Sequence, residues 1–449
     1  MQFRHGPELA LLAEALDILE AGFSDLPEAN SHYDLRGVAA VLQEAARRMQ
    51  DNYPYHHPLY AGQMLKPPHP VARLAYALSL WLNPNNHALD GGKASSAMEM
   101  ECIKAIAGMF GMQQSLGHLC GGGTMANLEA LWVAGRLKPG RIVASEQAHY
   151  THGRLSEVLK LRFSAVPATA AGGMDLGALR TLLETNDVGT VVATIGTTGV
   201  GAIDPLAEIL ELREEFGFRV HVDAAYGGYF HVAGELGKAA RRHYDCIARA
   251  DSIVIDPHKH GLQPYGCGCV LFSDPEVGTL YKHDSRYTYF TSADLHLGEI
   301  SLECSRPGAA AVALWATQRL LPMARGGAFA ADLDRSLLAA RRFWQWLAAG
   351  HSYVPLMEPE LDIVVYAVNA ADAVTASGQA RHVFERAAAQ NLHLALVDLP
   401  AALVRHYWPR LEVNSDTVTC LRSCLMKPEH LDWVGDICAT LDALAPGRA

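Results

Sequence analysis

The sequence predicts an α/β fold in which a mostly parallel sheet is covered by helices on both faces. Three observations lead to this prediction. Short β-rich runs alternate with helical patterns from about residue 122 to residue 273, and such alternation is typical of parallel sheets. The helix candidates between these runs have ordinary start signals, and no low-complexity linker interrupts the series. Ligands of such sheets bind at the carboxyl ends of the strands, so residues placed there are the candidates for function.

Six strands are predicted in this region, each short, rich in β-forming residues and bounded by turn formers. Between them, helices are predicted over residues 176–184 and 205–216. The second has Asp204 as its predicted N-cap and Pro205 at its first helical position. The strands are Arg141–Ser145, Phe163–Val166, Gly189–Ile195, Arg219–Val222, Ser252–Ile255 and Gly268–Phe272.

The strand pattern divides the chain into three parts. Residues 1–60 show helical patterns without strands, and we expect them to form an arm that packs on a partner subunit. Residues 61–325 are the predicted large α/β domain, and residues 326–449 are a smaller α+β domain. The small domain is predicted to contain a long helix, Phe329–Trp346, and the strands Asp362–Tyr366, Leu392–Leu396 and Thr417–Leu421.

Composition and charge favour a globular protein that acts on small molecules. Half of the 449 residues are hydrophobic, which is ample for a large core. The net charge of -11 argues against nucleic acid as a partner, because phosphate binding needs clustered Lys and Arg. No apolar run is long enough to span a bilayer, and the first residues lack a signal-peptide pattern. We therefore expect a soluble, cytoplasmic protein without a membrane partner.

The nine cysteines predict neither a disulfide framework nor a metal site. Cys267 and Cys269 are two positions apart, and Cys420 and Cys424 are four apart. Neither pair has a second pair at the spacing that zinc requires. We interpret the cysteines as reduced, mostly buried thiols of a cytoplasmic protein.

Charged side chains follow two of the predicted strands, at the edge where a ligand would bind. Asp223 comes directly after Val222, and Lys259 follows Ile255 in the sequence DPHKHG. A buried carboxylate at such a position is costly unless it is paired with a cation or hydrogen-bonded. Pyridoxal phosphate needs a lysine for a Schiff base and an acid for its pyridinium nitrogen. The two residues together therefore indicate a pyridoxal-phosphate site.

Three further segments fit the same cofactor. The glycines of CGGGTMANLEAL open into a helix, and they offer bare N–H groups and a positive dipole end to a phosphate. His149 follows the strand that ends at Ser145 and is suited to stack on a planar ring. Thr198 lies among small, hydroxylated residues after another strand. Alone, Asp223 is more typical of a helix cap and His149 of a structural histidine, but one cofactor explains the whole set.

The ordered set of segments resembles the group II pyridoxal-phosphate-dependent amino-acid decarboxylases, which have the fold-type I, aspartate-aminotransferase-like architecture. The similarity covers most of the chain from His57 to about Leu320, and the ordered set is more specific than any single motif. The lysine segment IDPHKHGLQPYGCGCVLF is similar to that of the archaeal tyrosine and aspartate decarboxylase branch. The matching segments are HPLYAGQM, SSAMEMECI, GGGTMANLEAL, SEQAHYTH, GTTGVGAIDP, HVDAAYGG, DPHKHG and LECSRPGAAAVALW.

The resemblance implies a role for each matching residue. Lys259 would form the Schiff base with pyridoxal 5′-phosphate and lead to a quinonoid intermediate. Asp223 would keep the ring nitrogen protonated, so that the ring accepts electrons. His149 and Ala225 would flank the two faces of the ring. The residues implied to hold the phosphate or to lie close to the ring are Gly123, Thr124, Thr198 and His258.

The substrate side is implied less completely. Relatives are similar in using a loop tyrosine to return a proton to the substrate carbon, and Tyr287 and Tyr289 are the candidates here. In relatives an arginine of the C-terminal domain takes the substrate carboxylate, which makes Arg422 the matching residue, with a structural role as the alternative. His57 is expected to line the substrate pocket or to pack at a dimer seam. Met125 stands where many relatives have Glu, beside the cofactor, and the residues after Leu262 differ from the similar branch near the substrate. Acidic, aromatic and diamino acids all stay open as substrates.

The resemblance implies an amino-acid decarboxylase that releases carbon dioxide and an amine. The same site also suits an aldehyde synthase, a carbon–carbon lyase or a transaminase, because the placement of protons, water and oxygen separates these outcomes. A non-catalytic relative that keeps the fold as a scaffold is the alternative outside enzymes, and the retained Lys259 and Asp223 argue against it. Sites of this fold form at a subunit seam, so the resemblance also implies a homodimer.

Overall fold

A computed structural model describes the protein over residues 5–27, 34–87, 89–281 and 301–445. Its largest element is a seven-stranded sheet. The strands are β1 (Leu116–Cys120), β2 (Arg141–Ser145), β3 (Phe163–Val166), β4 (Val188–Thr194), β5 (Arg219–Asp223), β6 (Ser252–Ile255) and β7 (Gly268–Phe272). They lie in the order β1-β7-β6-β5-β4-β2-β3. β7 runs antiparallel to β1 and β6, and the other four pairs are parallel.

The six predicted strands are all present, and their ends differ from the prediction by at most one residue. β1 was not predicted, because glycine and histidine interrupt its short apolar run, LGHLC. Its position depends on tertiary packing: a Cβ on Gly117 would lie 2.6 Å from the Val270 carbonyl oxygen of β7. Only glycine allows the two strands to approach this closely.

Helices cover both faces of the sheet, as predicted. The residues of β4 are all buried, which is expected of a central parallel strand covered on both sides. The core joins these strands to the inner faces of α4, α8 and α10 (Lys93–Phe110, Leu206–Phe216 and Gly308–Leu320). The other helices of this part are α3 (Pro70–Ser79), α5 (Gly123–Leu137), α6 (Thr151–Val158), α7 (Leu176–Thr185) and α9 (Lys238–Tyr244).

The predicted N-cap of α8 is wrong. The helix begins at Leu206, and its N-cap is Pro205, without a side-chain capping bond. Asp204 instead accepts hydrogen bonds from the Met174 and Thr194 backbone N–H groups, both at 2.7 Å. Asp204 is fully buried, and these two donors, which come from neighbouring segments, satisfy its carboxylate better than one helix-end donor would.

The C-terminal part has a sheet of four antiparallel strands in the order β10-β11-β9-β8. Phe343, Tyr366, Leu421 and Ile437 belong to a core cluster of this part, and we propose, on this support, that the small domain begins near residue 326. The strand predicted at residues 392–396 is displaced toward the C-terminus. The elements are α11 (Ala328–Ala349), β8 (Tyr353–Pro355), β9 (Ile363–Val368), α12 (Ala373–Ala389), β10 (Ala395–Pro400), α13 (Ala401–Tyr407), β11 (Thr417–Cys424) and α14 (His430–Ala443).

Two N-terminal helices, α1 (His5–Ala21) and α2 (Leu35–Met49), have no buried residue in this chain. α1 contacts α3, where Glu8 and Arg73 form an ion pair at 2.5 Å. Large apolar side chains are left exposed on both helices, including Ile18 at 77% and Leu35 at 74%. None of the helices in the described ranges combines the length and the apolar character needed to cross a membrane.

Candidate active site

A cavity of about 570 Å³ opens at the carboxyl ends of β4, β5 and β6. The strand ends supply Thr194, Asp223 and Asp256 to its wall. The start of α5 and the loops that follow the strands form the rest of the lining. The predicted site residues that the cavity brings together are Gly123, Thr124, His149, Thr198, Asp223, Ala225, His258 and Lys259.

Lys259 lies on a tight reverse connection between β6 and β7. The Lys259 backbone N–H donates to the Asp256 carbonyl at 3.0 Å, and the His258 N–H donates to the Cys267 carbonyl at 3.1 Å. Lys259 Nζ lies 3.1 Å from Asp256 Oδ2. Asp256 Oδ1 is buried without a hydrogen-bond partner. The connection therefore fixes the amine at the cavity wall and keeps a proton acceptor next to it.

Asp223, the last residue of β5, is 5% exposed and fully hydrogen-bonded. Oδ2 accepts from His152 Nε2 at 2.9 Å and from Asn127 Nδ2 at 3.3 Å, while Oδ1 accepts from the Ala225 N–H at 3.1 Å. Burial opposes the charge, but the hydrogen bond and the charge of His152 outweigh it and hold the pKa of Asp223 well below its usual range. The carboxylate is therefore ionised at neutral pH.

His221 fixes the asparagine that contacts Asp223. Its Nε2 lies 2.8 Å from Asn127 Oδ1, and its Nδ1 lies 2.8 Å from Ser252 Oγ. Burial lowers the pKa of His221 from 6.5 to about 3, so the folded protein keeps this ring neutral.

We expect acid to destabilise the protein through His221. An imidazole that is neutral when folded, but protonates near 6.5 when unfolded, contributes its full stability above that pH and loses it as the pH falls toward 3. At about pH 5.5 the free energy of unfolding falls by about 1.4 kcal/mol from this residue. Thermal unfolding at about pH 7.5 and about pH 5.5 tests this, and His221→Gln should show a smaller difference between the two. An undiminished difference in the variant would contradict the expectation.

The N-terminus of α5 faces the cavity through two glycines at which a side chain would be strained or crowded. Gly122 is the N-cap, with φ at +141°, and a Cβ there would lie 3.3 Å from His258 Cε1. A Cβ on Gly123 would lie 2.7 Å from Asp256 Oδ2. Thr124 also lines the cavity. The first N–H groups of a 15-residue helix are thus left accessible to an anion.

His149 lies in the turn before α6 and contributes a neutral ring to the cavity. Its Nδ1 accepts from the Thr151 N–H at 3.3 Å, and burial lowers the pKa of the imidazole. Ala225 lines the same cavity, and its backbone position is fixed by the hydrogen bond to Asp223. A neutral imidazole and a methyl group are both suited to contact a planar ring.

Arg422 on β11 joins the small sheet to the cavity without lining it. Its Nη1 donates to the Thr198 carbonyl at 3.0 Å, and its Nη2 donates to Gln63 Oε1 at 2.8 Å. The side chain is buried, and its Nε lacks a partner among the described atoms. Arg422 therefore positions Thr198 and Gln63 in this chain.

Of the other residues predicted for the site, His57 is described and is not part of the cavity lining. The His57 ring packs edge-on against Trp433, with ring centroids 4.8 Å apart. Tyr287 and Tyr289 lie outside the described residues. Their roles stay predictions from the resemblance.

The cavity has a complementary group for each end of pyridoxal phosphate. The open N-terminus of α5 suits the phosphate, and the ionised Asp223 suits a protonated ring nitrogen. The Lys259 amine suits the aldehyde, with the unpartnered Asp256 Oδ1 beside it. The residues present therefore fit this cofactor.

Four residues that shape this site were not predicted from the sequence. His152 and Asn127 hold Asp223, and the spacing of His152 from His149 at the start of a helix is the one signal that was available. Glu303 Oε2 accepts from the Gly121 N–H at 2.9 Å. Tyr265 lines the cavity with its ring 4.8 Å from that of His258.

Comparison with known proteins agrees with the site. The family described as "Pyridoxal-dependent decarboxylase conserved domain" matches residues 133–369. The L-tyrosine decarboxylase of Enterococcus faecium is 27% identical over 434 residues, covering 72% of this chain and 71% of that protein. The probable L-tyrosine/L-aspartate decarboxylase of Methanothermobacter thermautotrophicus is 30% identical over 310 residues, covering 68% and 82%.

Solved structures share the fold over nearly the whole chain. Mouse CSAD has a TM-score of 0.78 at 20% identity and covers 99% of this chain and 93% of its own. Oryza sativa TDC with PLP has a TM-score of 0.75 at 16% identity and covers 99% and 100%. The predicted fold type is thereby confirmed. With the family match, these findings show that the chain belongs to the pyridoxal-dependent decarboxylase family and is a carboxy-lyase with pyridoxal phosphate as its cofactor.

Proposed function

We propose that this enzyme decarboxylates an L-amino acid and that Lys259 is the residue that bonds covalently to the cofactor. One observation carries the proposal: the Lys259 amine and the ionised Asp223 line the same cavity as the open N-terminus of α5. When bound, pyridoxal phosphate supplies an electron sink for the bond that breaks. Everything else in the reaction has to come from the protein.

The protein holds the cofactor, polarises its ring and moves protons. Asp223 would keep the ring nitrogen protonated, and its bonds to His152 and Asn127 prevent it from rotating away. His149 and Ala225 would flank the ring, and α5 would bind the phosphate with Thr124 and His258. Asp256 Oδ2, 3.1 Å from Lys259 Nζ, can take a proton from the Lys259 ammonium and so free the amine to bond to the cofactor. Tyr287 or Tyr289 would then return a proton to the substrate carbon.

We propose a neutral aromatic amino acid of the tyrosine class as the substrate. The described lining contains three carboxylates, Asp223, Asp256 and Glu303, against one Lys or Arg side chain, Lys259. A second carboxylate on the substrate would meet the charge of Glu303 without a cation to pair with it. Tyr265 offers an aromatic wall instead. The name of the Enterococcus relative, L-tyrosine decarboxylase, supports this choice.

Carbon dioxide release from L-tyrosine and from L-aspartate tests the substrate proposal. We expect kcat/KM to be higher for L-tyrosine, and Glu303→Gln to raise kcat/KM for L-aspartate by about tenfold by removing a like charge. Glu276→Gln, on an exposed turn, is the matched control and should change neither value. Preference for L-aspartate in the unaltered enzyme would refute the substrate class while leaving the decarboxylase intact.

The mass of the product separates the remaining reactions of this site. We expect the amine. An aldehyde with consumption of oxygen would indicate an aldehyde synthase, and a keto acid without carbon dioxide would indicate a transaminase. The fold does not decide between them, since a structure named Rhodiola rosea 4-hydroxyphenylacetaldehyde synthase matches this chain with a TM-score of 0.75.

We propose that the enzyme is a homodimer in which α1 and α2 pack on the partner subunit. The exposed apolar side chains of these helices, such as Val41 at 66% and Leu42 at 64%, support this arrangement. Light scattering should give a mass of about twice 48.6 kDa. Leu42→Glu, with Glu44→Gln as its control on the same helix, should favour the monomer and lower activity. A fully active monomer would rule the arrangement out.

We also propose a cytoplasmic location. All nine cysteines are free thiols, as expected of a reducing compartment. Fractionation of cells that produce the protein at its natural level checks this location.

A further inference from the structure

A second cavity, of about 340 Å³, lies next to the active site and shares no lining residue with it. Four separate parts of the chain form it: the segment 56–70, the loop after Lys259, the start of α11 and the turn after β11. The side chains that matter for its chemistry are Lys66, His260, Asp332, Lys427 and Glu429.

Two of these side chains are lysines without a counter-ion. Among the residues that the structure describes, no carboxylate oxygen lies within 4.0 Å of Lys66 Nζ or Lys427 Nζ. Each ammonium has one carbonyl acceptor: Lys66 donates to Met426 at 3.3 Å, and Lys427 donates to Tyr60 at 2.7 Å. Lys427 is only 3% exposed. A buried ammonium without an opposite charge in contact is costly, so an anion bound between the two lysines would stabilise them.

His260 supplies an independent sign of a missing ligand. It is fully buried and lines the cavity, yet neither ring nitrogen has a hydrogen bond of acceptable geometry. Nε2 lies 3.3 Å from Asp362 Oδ2, and the rings of Tyr226 and Phe230 pack edge-on against the imidazole. Burial lowers the pKa of His260. Nε2 faces the Asp362 carboxylate, so Nδ1 is the ring nitrogen that is left without a polar contact.

The two carboxylates of the cavity do not fill this role. Asp332 and Glu429 are both partly exposed, so water can solvate their charges at the rim. Burial lowers the pKa of Lys66 to about 8, and burial together with the charge of Lys66 lowers that of Lys427 to about 7. The charges of Asp332 and Glu429 raise the pKa of Lys66, but they offset only part of the effect of burial.

We propose that this cavity is a binding site for a small oxyanion of the carboxylate or phosphate class, held by the amino groups of Lys66 and Lys427 next to His260. Oxyanions match these donors because each ammonium can give a charge-assisted hydrogen bond to a separate oxygen. The volume admits a small anion and leaves room for water.

The site is connected to the active site through the segment that separates the two cavities. Lys427 holds the Tyr60 carbonyl, Arg422 holds Gln63, and the Tyr265 hydroxyl donates to the Met64 carbonyl at 3.2 Å. An anion that orders Lys66 and Lys427 therefore also orders the backbone of the segment that carries Tyr60 and Gln63. We expect its main kinetic effect on KM rather than on kcat.

Calorimetric titration of the enzyme saturated with pyridoxal phosphate tests the proposal, because the cofactor then fills the anion position at α5. Inorganic phosphate is one titrant, sodium acetate is the other, and sodium chloride keeps the ionic strength constant. We expect at least one oxyanion to bind and to raise the melting temperature. Lys427→Met and Lys66→Met should each weaken that binding by about tenfold or more through loss of a charge-assisted bond.

Lys238→Met, on the exposed start of α9, is the matched control and should bind as the unaltered enzyme does. The cofactor absorption spectrum shows that each variant is folded and loaded. Lys66, which is partly exposed, serves as the second variant if Lys427→Met does not fold. No binding of either oxyanion to the unaltered enzyme, or equal affinity in the lysine variants and the control, would overturn the proposal. Comparison of the two titrants distinguishes a phosphate site from a carboxylate site.

Discussion

Lys259→Ala is expected to reduce carbon dioxide release by about 10⁴-fold or more, since a variant without the covalent group keeps only binding and electrostatic effects. Lys259 is the one Lys or Arg side chain in the described lining of the cavity. Its Nζ lies 3.1 Å from Asp256 Oδ2. No neighbouring amine among the described residues can replace it. Single-turnover release of labelled carbon dioxide from L-tyrosine measures the loss.

Borohydride reduction and peptide mass spectrometry provide the second measurement. In the unaltered enzyme we expect the cofactor to be trapped on the peptide that contains Lys259. The control variant is Lys66→Ala, which removes a lysine outside this cavity and should still be trapped at Lys259. Undiminished turnover in Lys259→Ala, or trapping on another lysine, would show that the covalent group has been assigned wrongly.

Asp223→Asn is expected to lower kcat by about 10²- to 10³-fold, the usual effect of removing one preorganised electrostatic group. The amide is neutral and cannot hold a proton on the ring nitrogen. It also places an N–H₂ group opposite the Asn127 amide or the His152 ring, which now donate to Oδ2. Substrate affinity should change less than kcat, because the charge acts on the reacting state.

Asp251→Asn is the matched control for this prediction. Asp251 precedes β6 at the opposite edge of the same sheet, where its carboxylate accepts from the Val220 N–H at 2.7 Å. Its replacement should affect stability without changing kcat in the folded fraction. If both variants lose activity in proportion to their loss of folded protein, Asp223 is a structural residue and the proposed role is incorrect.

The strand ends could be predicted because the local signals and the tertiary structure agree. The apolar runs of β4, β5 and β6 are buried on both faces, so their composition alone marks them. Polar residues that directly follow such runs lie at the carboxyl edge of the sheet. This is why Asp223 and Lys259 were found without a structure.

Other residues could not be predicted because their roles depend on which segments meet. Asp204 has the sequence of an N-cap, but its carboxylate accepts from two backbone N–H groups outside the helix, those of Met174 and Thr194. His152 and Asn127 contact Asp223 from different helices. No local sequence pattern predicts these tertiary contacts. Arg422 was expected either at the substrate carboxylate or in a structural role, and its guanidinium donates to the Thr198 carbonyl and to Gln63 Oε1.

The connection between β6 and β7 affects how the cofactor binds and dissociates. Its backbone is closed by hydrogen bonds from Lys259 to Asp256 and from Gln263 to Pro257, and a Cβ on Gly261 would meet the Pro257 Cα at 2.6 Å. Little conformational entropy is left in this segment to lose when a ligand arrives. The binding site of the apoenzyme should therefore be preformed. Activity should return as fast as the cofactor diffuses in, without a slow refolding phase.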